Sequence, residues 1–354
     1  MELNNIIFSF FLLIFGYFLN NYILLLLKKS NINLMADNDF QKPQAFHKKT
    51  TYRIGGITVF LLLLLSSVYL FFSKNIFFPE YVSFCSLFFL LGLLDDLKVN
   101  MSPKLRLGSM VFILLFLIIK NDFYIERTGL EFLNYLLSTD IFAIVFASLC
   151  FLFIINGSNL IDGFNGLLGI HALIIFIVLF AINLNYGNND LAYLLYYIII
   201  AILIFLKFNF PKSQMFLGDS GSYLVGALLA VSVGKTSTLN LSISPFFFCI
   251  LLAYLFFEVF FSFFRKILFA RQSPLLPDQN HLHMNFYKFL LKKSKSKKNL
   301  NYKVAIYINT TYLLLITPAF IFMHNGLFWR YYFFFLLLFY IYTYQFILKV
   351  NFKS

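Results

Sequence analysis

Asn156-Gly157-Ser158-Asn159-Leu160-Ile161-Asp162-Gly163-Phe164-Asn165-Gly166 lies between two apolar runs, 139–155 and 167–182. Three glycines, three asparagines, a serine and an aspartate are costly in hydrocarbon unless the segment leaves the bilayer or lines a cavity. Polar groups so placed mark a working site. Asn156, Asn159 and Asp162 recur every three residues, so on a helix they share a face, and Gly163 and Gly166 admit close approach of another backbone or a ligand. A plain helix cap needs a single Asn or Asp; this stretch holds four.

The chain around it is 60% hydrophobic and only 12% charged, against about 25% charged in ordinary soluble domains. Apolar blocks recur at 6–27, 54–73, 81–94, 107–119, 139–155, 167–182, 191–206, 222–234, 245–264, 303–323 and 329–348. Judged against about 20 residues per crossing, they predict an all-α polytopic membrane protein of about eleven transmembrane helices, read as one domain over 1–354. No basic segment precedes the first block, and Lys28 and Lys29 follow it. It reads as an anchor with its N-terminus outside, not as a cleaved signal. Alternating from there, 23 of the 28 Lys and Arg fall on the cytoplasmic side, the bias expected of an inner-membrane protein.

That orientation sorts the acids. Asp95, Asp96, Asp162, Asp219, Asp278, His281 and His283 all fall at cytoplasmic ends of blocks or in cytoplasmic loops, whereas Glu80, Asp122, Glu126, Glu131, Asp140 and Asp190 are scattered outside. The net charge of +13 follows the loops, so it points to anionic headgroups and a phosphate-bearing substrate and not to nucleic acid. Cys85, Cys150 and Cys249 stand singly in apolar runs, which suits packing.

Four clusters carry chemistry. Adjacent carboxylates at Asp95-Asp96 favour a cation or a shared proton, and Lys98, Lys104 and Arg106 follow closely enough to meet a phosphate. Phe216-Leu217-Gly218-Asp219-Ser220-Gly221-Ser222 introduces a membrane helix; its glycines would present backbone N–H groups to an anion, and Asp219 is a hard oxygen ligand suited to Mg²⁺. Ser273-Pro274-Leu275-Leu276-Pro277-Asp278-Gln279-Asn280-His281-Leu282-His283 has no thiol or third histidine for zinc, so hydrogen bonding to phosphate or sugar is the better reading. His47-Lys48-Lys49 and Arg53-Ile54-Gly55-Gly56 add a basic, glycine-bearing entry to the second block.

In order and loop position these motifs resemble the polyprenyl-phosphate N-acetylhexosamine-1-phosphate transferases of glycosyltransferase family 4, in the superfamily of the phospho-muramoyl-pentapeptide translocase. The resemblance runs from about Arg53 to His283, and the Glu258-to-Arg265 spacing also fits. The chain departs from the family pattern at Asn165, Gln279 and Met284, and at Val99-Asn100. The resemblance implies transfer of a sugar-1-phosphate from a UDP-amino sugar to undecaprenyl phosphate at the cytoplasmic face. UMP is released, Mg²⁺ (or Mn²⁺) is the cofactor, and the step initiates a cell-surface polysaccharide such as O-antigen.

On this reading Asp95, Asp96, Asp162 and Asp219 are catalytic, and Asp219, Asp95 and Asp96 hold the metal. Asn156, Asn159, Asn165, Gly218, His281, His283, Lys48, Arg53, Lys104 and Asp278 meet substrate. A homodimer is a further expectation. Asn165→Asp is expected to alter donor preference. A phospho-N-acetylmuramoyl-pentapeptide transferase is the near alternative. A secondary transporter of an anionic solute is the distant one, disfavoured because charges gather at one face and only Glu258 is a midplane candidate. A scaffold without activity is weaker still, because the acids are all present.

Overall fold

The computed structural model describes residues 3–29, 35–37, 50–99, 101–274, 279–293 and 300–353. The first half holds α1 (Leu3–Lys29), β1 (Ala36–Asp37), β2 (Thr51–Arg53), α2 (Gly55–Lys74), α3 (Pro79–Asp96), α4 (Pro103–Lys120), α5 (Glu131–Leu137) and α6 (Asp140–Ile161). There follow α7 (Leu167–Asn185), α8 (Asn189–Asn209), β3 (Met215–Phe216), α9 (Gly218–Leu239), α10 (Pro245–Leu251) and α11 (Ala253–Phe264). A π-helical turn, Arg265–Ala270, leads to α12 (Leu282–Lys293), α13 (Asn301–Ile316), α14 (Ala319–Phe322) and α15 (Gly326–Lys353).

The protein is an all-α polytopic membrane protein. Among the described residues eight helices are long and apolar enough to cross a membrane: α1, α2, α6, α7, α8, α9, α13 with α14, and α15. A ninth crossing would be α10 with α11, bent by 71°. The remaining two expected blocks coincide with α3 and α4, each 18 residues long. Charged residues sit at their ends (Glu80, Asp95, Asp96; Lys104, Arg106, Lys120), so a count of eleven rests on these two shorter helices.

Helix α9 is the keel. It packs against α2, α3, α6, α7 and α10, and because it is largely removed from lipid it tolerates the small and polar residues Gly221, Ser222, Gly226, Ala227, Ala230 and Ser232. Small residues let backbones approach. At Gly92 of α3 an added methyl would strike the backbone of Asp219 and Ser220, at Gly56 of α2 it would strike Gly221, and at Gly226 it would lie 2.7 Å from Ile155 Cα. The outermost helix, α1, buries one stripe, Asn5, Ser9, Leu12, Gly16, Asn20 and Leu24. The two asparagines of that stripe, Asn5 and Asn20, accept from Tyr69 Oη and Thr58 Oγ1 of α2 respectively. The break after α10 frees the Leu251 carbonyl, which accepts from Tyr312 Oη at 2.8 Å.

A three-stranded sheet, absent from the sequence reading, joins distant parts of the chain. β2 pairs antiparallel with β1 and parallel with β3, with Arg53 opposite Phe216. Seven residues across three strands are too short to leave a periodic signal. The sheet nonetheless brings the start of α2 to the start of α9.

Candidate active site

Alternating helix directions bring the polar motifs to one end of the bundle. The C-terminal ends of α3 and α6 and the N-terminal ends of α2, α4 and α9 meet there. Asp219 stands in the first turn of α9, its side chain 23% exposed. Asn159, in the last turn of α6, donates from Nδ2 to Asp219 Oδ1 at 2.7 Å and to Ser222 Oγ at 2.9 Å. Of the three residues expected to share a face, Asn159 makes these contacts from within the helix, while Asp162 lies just past it as its C-cap.

Leu217, the residue before α9, has no side chain able to cap it. The cap comes from α3. Asp96 Oδ1 accepts from the Asp219 N–H at 3.0 Å, and Oδ2 accepts from the Ser220 N–H at 2.9 Å and from Ser220 Oγ at 2.6 Å. Gly218 has φ +78°, and a Cβ there would lie 2.5 Å from Asp96 Oδ2. The expected N-terminal anion site is thus filled by the protein's own carboxylate. The Asp96 side chain is fully buried and its oxygens are taken up by the start of α9, whereas the carboxylates of Asp219 and Asp95 keep part of their surface.

Arg53 reaches across the cluster from β2. Its guanidinium lies 2.9 Å from Asp37, 3.6 Å from Asp219 and 3.8 Å from Asp96. Burial opposes its charge, but the carboxylates of Asp219, Asp37 and Asp96 outweigh that and raise its pKa above the ordinary value. Asp162 behaves oppositely: burial, and then the negative charge of Asp219, push its carboxyl up to about 8, against a smaller pull from Arg53. Arg106 of α4 pairs with Asp95 at 3.3 Å.

Other expected residues lie elsewhere. Asn156 donates to the Leu152 carbonyl one turn back and faces Met110. Asn165 ties the 162–166 loop to its surroundings: its N–H donates to Asn301 Oδ1 and its Nδ2 to the Pro211 carbonyl at 2.8 Å. Asn209 completes that junction, accepting from the Gly166 N–H and donating to the Met215 carbonyl. Lys104 lines an apolar groove between α3 and α4, with Leu90, Leu94 and Phe112. His281 and His283 are buried against Glu258 of α11, and Phe164 sets its ring edge on His283 at 5.4 Å between centroids. Lys48 and Asp278 lie outside the described residues.

The sequence reading gave no role to Asp37, Asn209, Ser220 or Ser222. The serines sit inside a quoted motif and were within reach of it, whereas nothing local distinguishes Asp37 or Asn209.

Among the described residues no three His, Cys, Asp or Glu side chains gather as a metal site. The donor set is one partly exposed carboxylate, oriented by an amide, with a second carboxylate nearby. That suits Mg²⁺, which uses one or two carboxylates with phosphate oxygens and water, and does not suit zinc.

A family model described as glycosyl transferase family 4 matches residues 79–237, the stretch from α3 to α9. The chain is 30% identical over 240 residues to an undecaprenyl-phosphate alpha-N-acetylglucosaminyl 1-phosphate transferase of Thermotoga maritima, covering 68% of this chain and 69% of that one. It is 31% identical over 239 residues to a phospho-N-acetylmuramoyl-pentapeptide-transferase of Dictyoglomus turgidum, covering 65% and 74%. A protein of the same description from Prochlorococcus marinus is 30% identical over 269 residues, covering 68% and 73%.

Proposed function

Since the chain belongs to glycosyl transferase family 4, we propose that it transfers an N-acetylhexosamine-1-phosphate from a UDP-sugar to undecaprenyl phosphate, releasing UMP, at the cytoplasmic face of the bacterial inner membrane. The carrying observation is the Asp219 cluster, in which Asn159, Arg53 and the capping Asp96 hold one partly exposed carboxylate at one end of a membrane bundle. A site at the end of a bundle can meet a lipid phosphate from the bilayer and a nucleotide from water together. Neither a soluble sugar transferase nor a midplane transporter site has that need.

A phosphate monoester loses its second proton near pH ~6, so the lipid phosphate is largely dianionic at pH 7 and needs no general base. Its oxygen attacks the sugar-bearing phosphorus of the donor, a new P–O–P linkage forms, the bond to the UMP phosphate breaks, and UMP leaves with those electrons. The protein's part is orientation and charge, as in phosphoryl transfer generally. Asp219, with Asp95 beside it, would hold Mg²⁺, which when bound offsets charge on the diphosphate. Arg53 and Arg106 add fixed positive charge, and Asn159 keeps Asp219 turned toward the opening.

A second reading, phospho-N-acetylmuramoyl-pentapeptide transfer, is favoured by the names of two of the relatives above. Purified protein given undecaprenyl phosphate, Mg²⁺ and a panel of UDP-N-acetylglucosamine, UDP-N-acetylgalactosamine, UDP-N-acetylfucosamine and UDP-N-acetylmuramoyl-pentapeptide separates the two. UMP release with a lipid-linked N-acetylhexosamine supports the proposal. Product from the pentapeptide donor alone replaces it with the second reading, and solute uptake by vesicles without product replaces both.

A further inference from the structure

Glu258 is an acid inside the apolar α11, 1% exposed. Burying a lone carboxylate at membrane depth costs several kcal/mol unless partners compensate, so its surroundings matter. Its two oxygens face two rings: Oε2 is within hydrogen-bond distance of His281 Nδ1, at 3.0 Å, and Oε1 lies 3.6 Å from His283 Nδ1, a charge contact beyond hydrogen-bond length. The rings stand nearly parallel, 10° apart with centroids at 5.6 Å. His281 precedes α12 and its carbonyl accepts the Asn285 N–H, while the neighbouring Asn280 carbonyl accepts from Tyr344 Oη of α15. His283 also meets the ring of Phe164, two residues beyond Asp162, edge to face. An imidazole whose Nδ1 is engaged by a carboxylate has its tautomer and orientation fixed, leaving Nε2 to act elsewhere.

We propose that Glu258 is a positioning residue that holds His281 and His283 as a parallel pair against the 162–166 loop and so sets the affinity for the nucleotide-sugar donor. The donor assignment rests on the transferase reading; the clamp itself does not.

Two measurements on detergent-purified full-length protein test the parts separately. First, diethyl pyrocarbonate modification is mapped by mass spectrometry. Glu258→Gln should speed modification of His281 and His283 by at least about tenfold while buried His171 and exposed His324 keep their rates. Unchanged rates at the pair, or an equal rise at His171, overturn the clamp. Second, in the UMP-release assay Glu258→Gln should raise the donor KM about tenfold with kcat within about threefold, and should cost nothing further in a His281→Ala/His283→Ala background. A fall in kcat at constant KM, or losses that multiply, overturns the positioning role. Should Glu258→Gln not accumulate, Glu258→Asp takes its place with the same criteria, its shorter acid keeping charge but losing one ring. A parent protein with no UMP release from any donor refutes the transferase reading while the modification arm still judges the clamp.

Discussion

Asp96 and Ser220 are joined by a short hydrogen bond from one helix to the next, Ser220 Oγ donating to Asp96 Oδ2 at 2.6 Å. Together with two backbone N–H groups this makes Asp96 the N-cap of α9, supplied by α3. Asp96→Asn leaves an amide that cannot accept along both edges, and losing a hydrogen bond to a buried charged acceptor costs roughly 1.5–3 kcal/mol. The expected result is a lower unfolding temperature together with a loss of UMP release that persists from pH 6 to pH 9. Full recovery of the rate at pH 9 would make Asp96 a proton acceptor instead.

Asp162 gives a pH dependence with a definite sign. Its carboxyl is pushed up to about 8, above the ordinary carboxylate range. Its contribution therefore favours the folded state below about pH 4 and is lost as pH rises through about 8. Because the charge of Asp219 is part of the cause, a cation held at Asp219 should expel the proton. Mg²⁺ affinity, read by calorimetry in two buffers of different ionisation heat, should rise with pH up to about 8 with proton release, and Asp162→Asn should abolish that release. Equal release from the variant would assign the proton to another group.

Asn159→Ala removes the amide that orients Asp219. The Mg²⁺ concentration for half-maximal rate should rise about tenfold, in line with losses of residues that orient metal ligands. An unchanged Mg²⁺ requirement would mean that Asp219 is held by Asp96 and the backbone alone.

Two glycines of similar appearance in the sequence should behave oppositely. Gly92→Ala puts a methyl into the backbone of α9, so it should cost about 1–3 kcal/mol by overpacking and displace Asp219. Gly163 has no atom within 4 Å of an added Cβ, so Gly163→Ala should leave the unfolding temperature unchanged. Any rise in donor KM in that variant would then report direct contact with substrate.

Asn165→Asp replaces a donor with an acceptor against the Pro211 carbonyl, so a lower unfolding temperature, worth about 1–3 kcal/mol, is expected beside the anticipated change in donor preference. If donor order stays the same while stability falls, the residue is a brace for the loop and has no part in selectivity.

How much of this was legible in the sequence depended on range. Apolar blocks and the polar islands between them are local signals, and they located the helices and the motifs at their ends. The opposed fates of Asp95 and Asp96 were not legible, because adjacent residues on a helix point about 100° apart and only the neighbours of each decide its role: Arg106 for one, the start of α9 for the other. The β2–β3 pairing, Asp37 and Asn209 were hidden because each works through a partner far along the chain. His281 and His283 read as loop groups meeting phosphate or sugar, and their burial against Glu258 was hidden because that acid lies on another helix.

The glycine joints have a consequence for inheritance. Where α9 touches α2 and α3, main chain meets main chain, so no side chain can be exchanged to correct a misfit at Gly56 or Gly92. A saturation scan of the chain should therefore show tolerance that grows with distance from α9, whatever the apolarity of the position. The lipid-facing residues of α1 and α15 are free to drift, while two residues with no side chain at all are held in place.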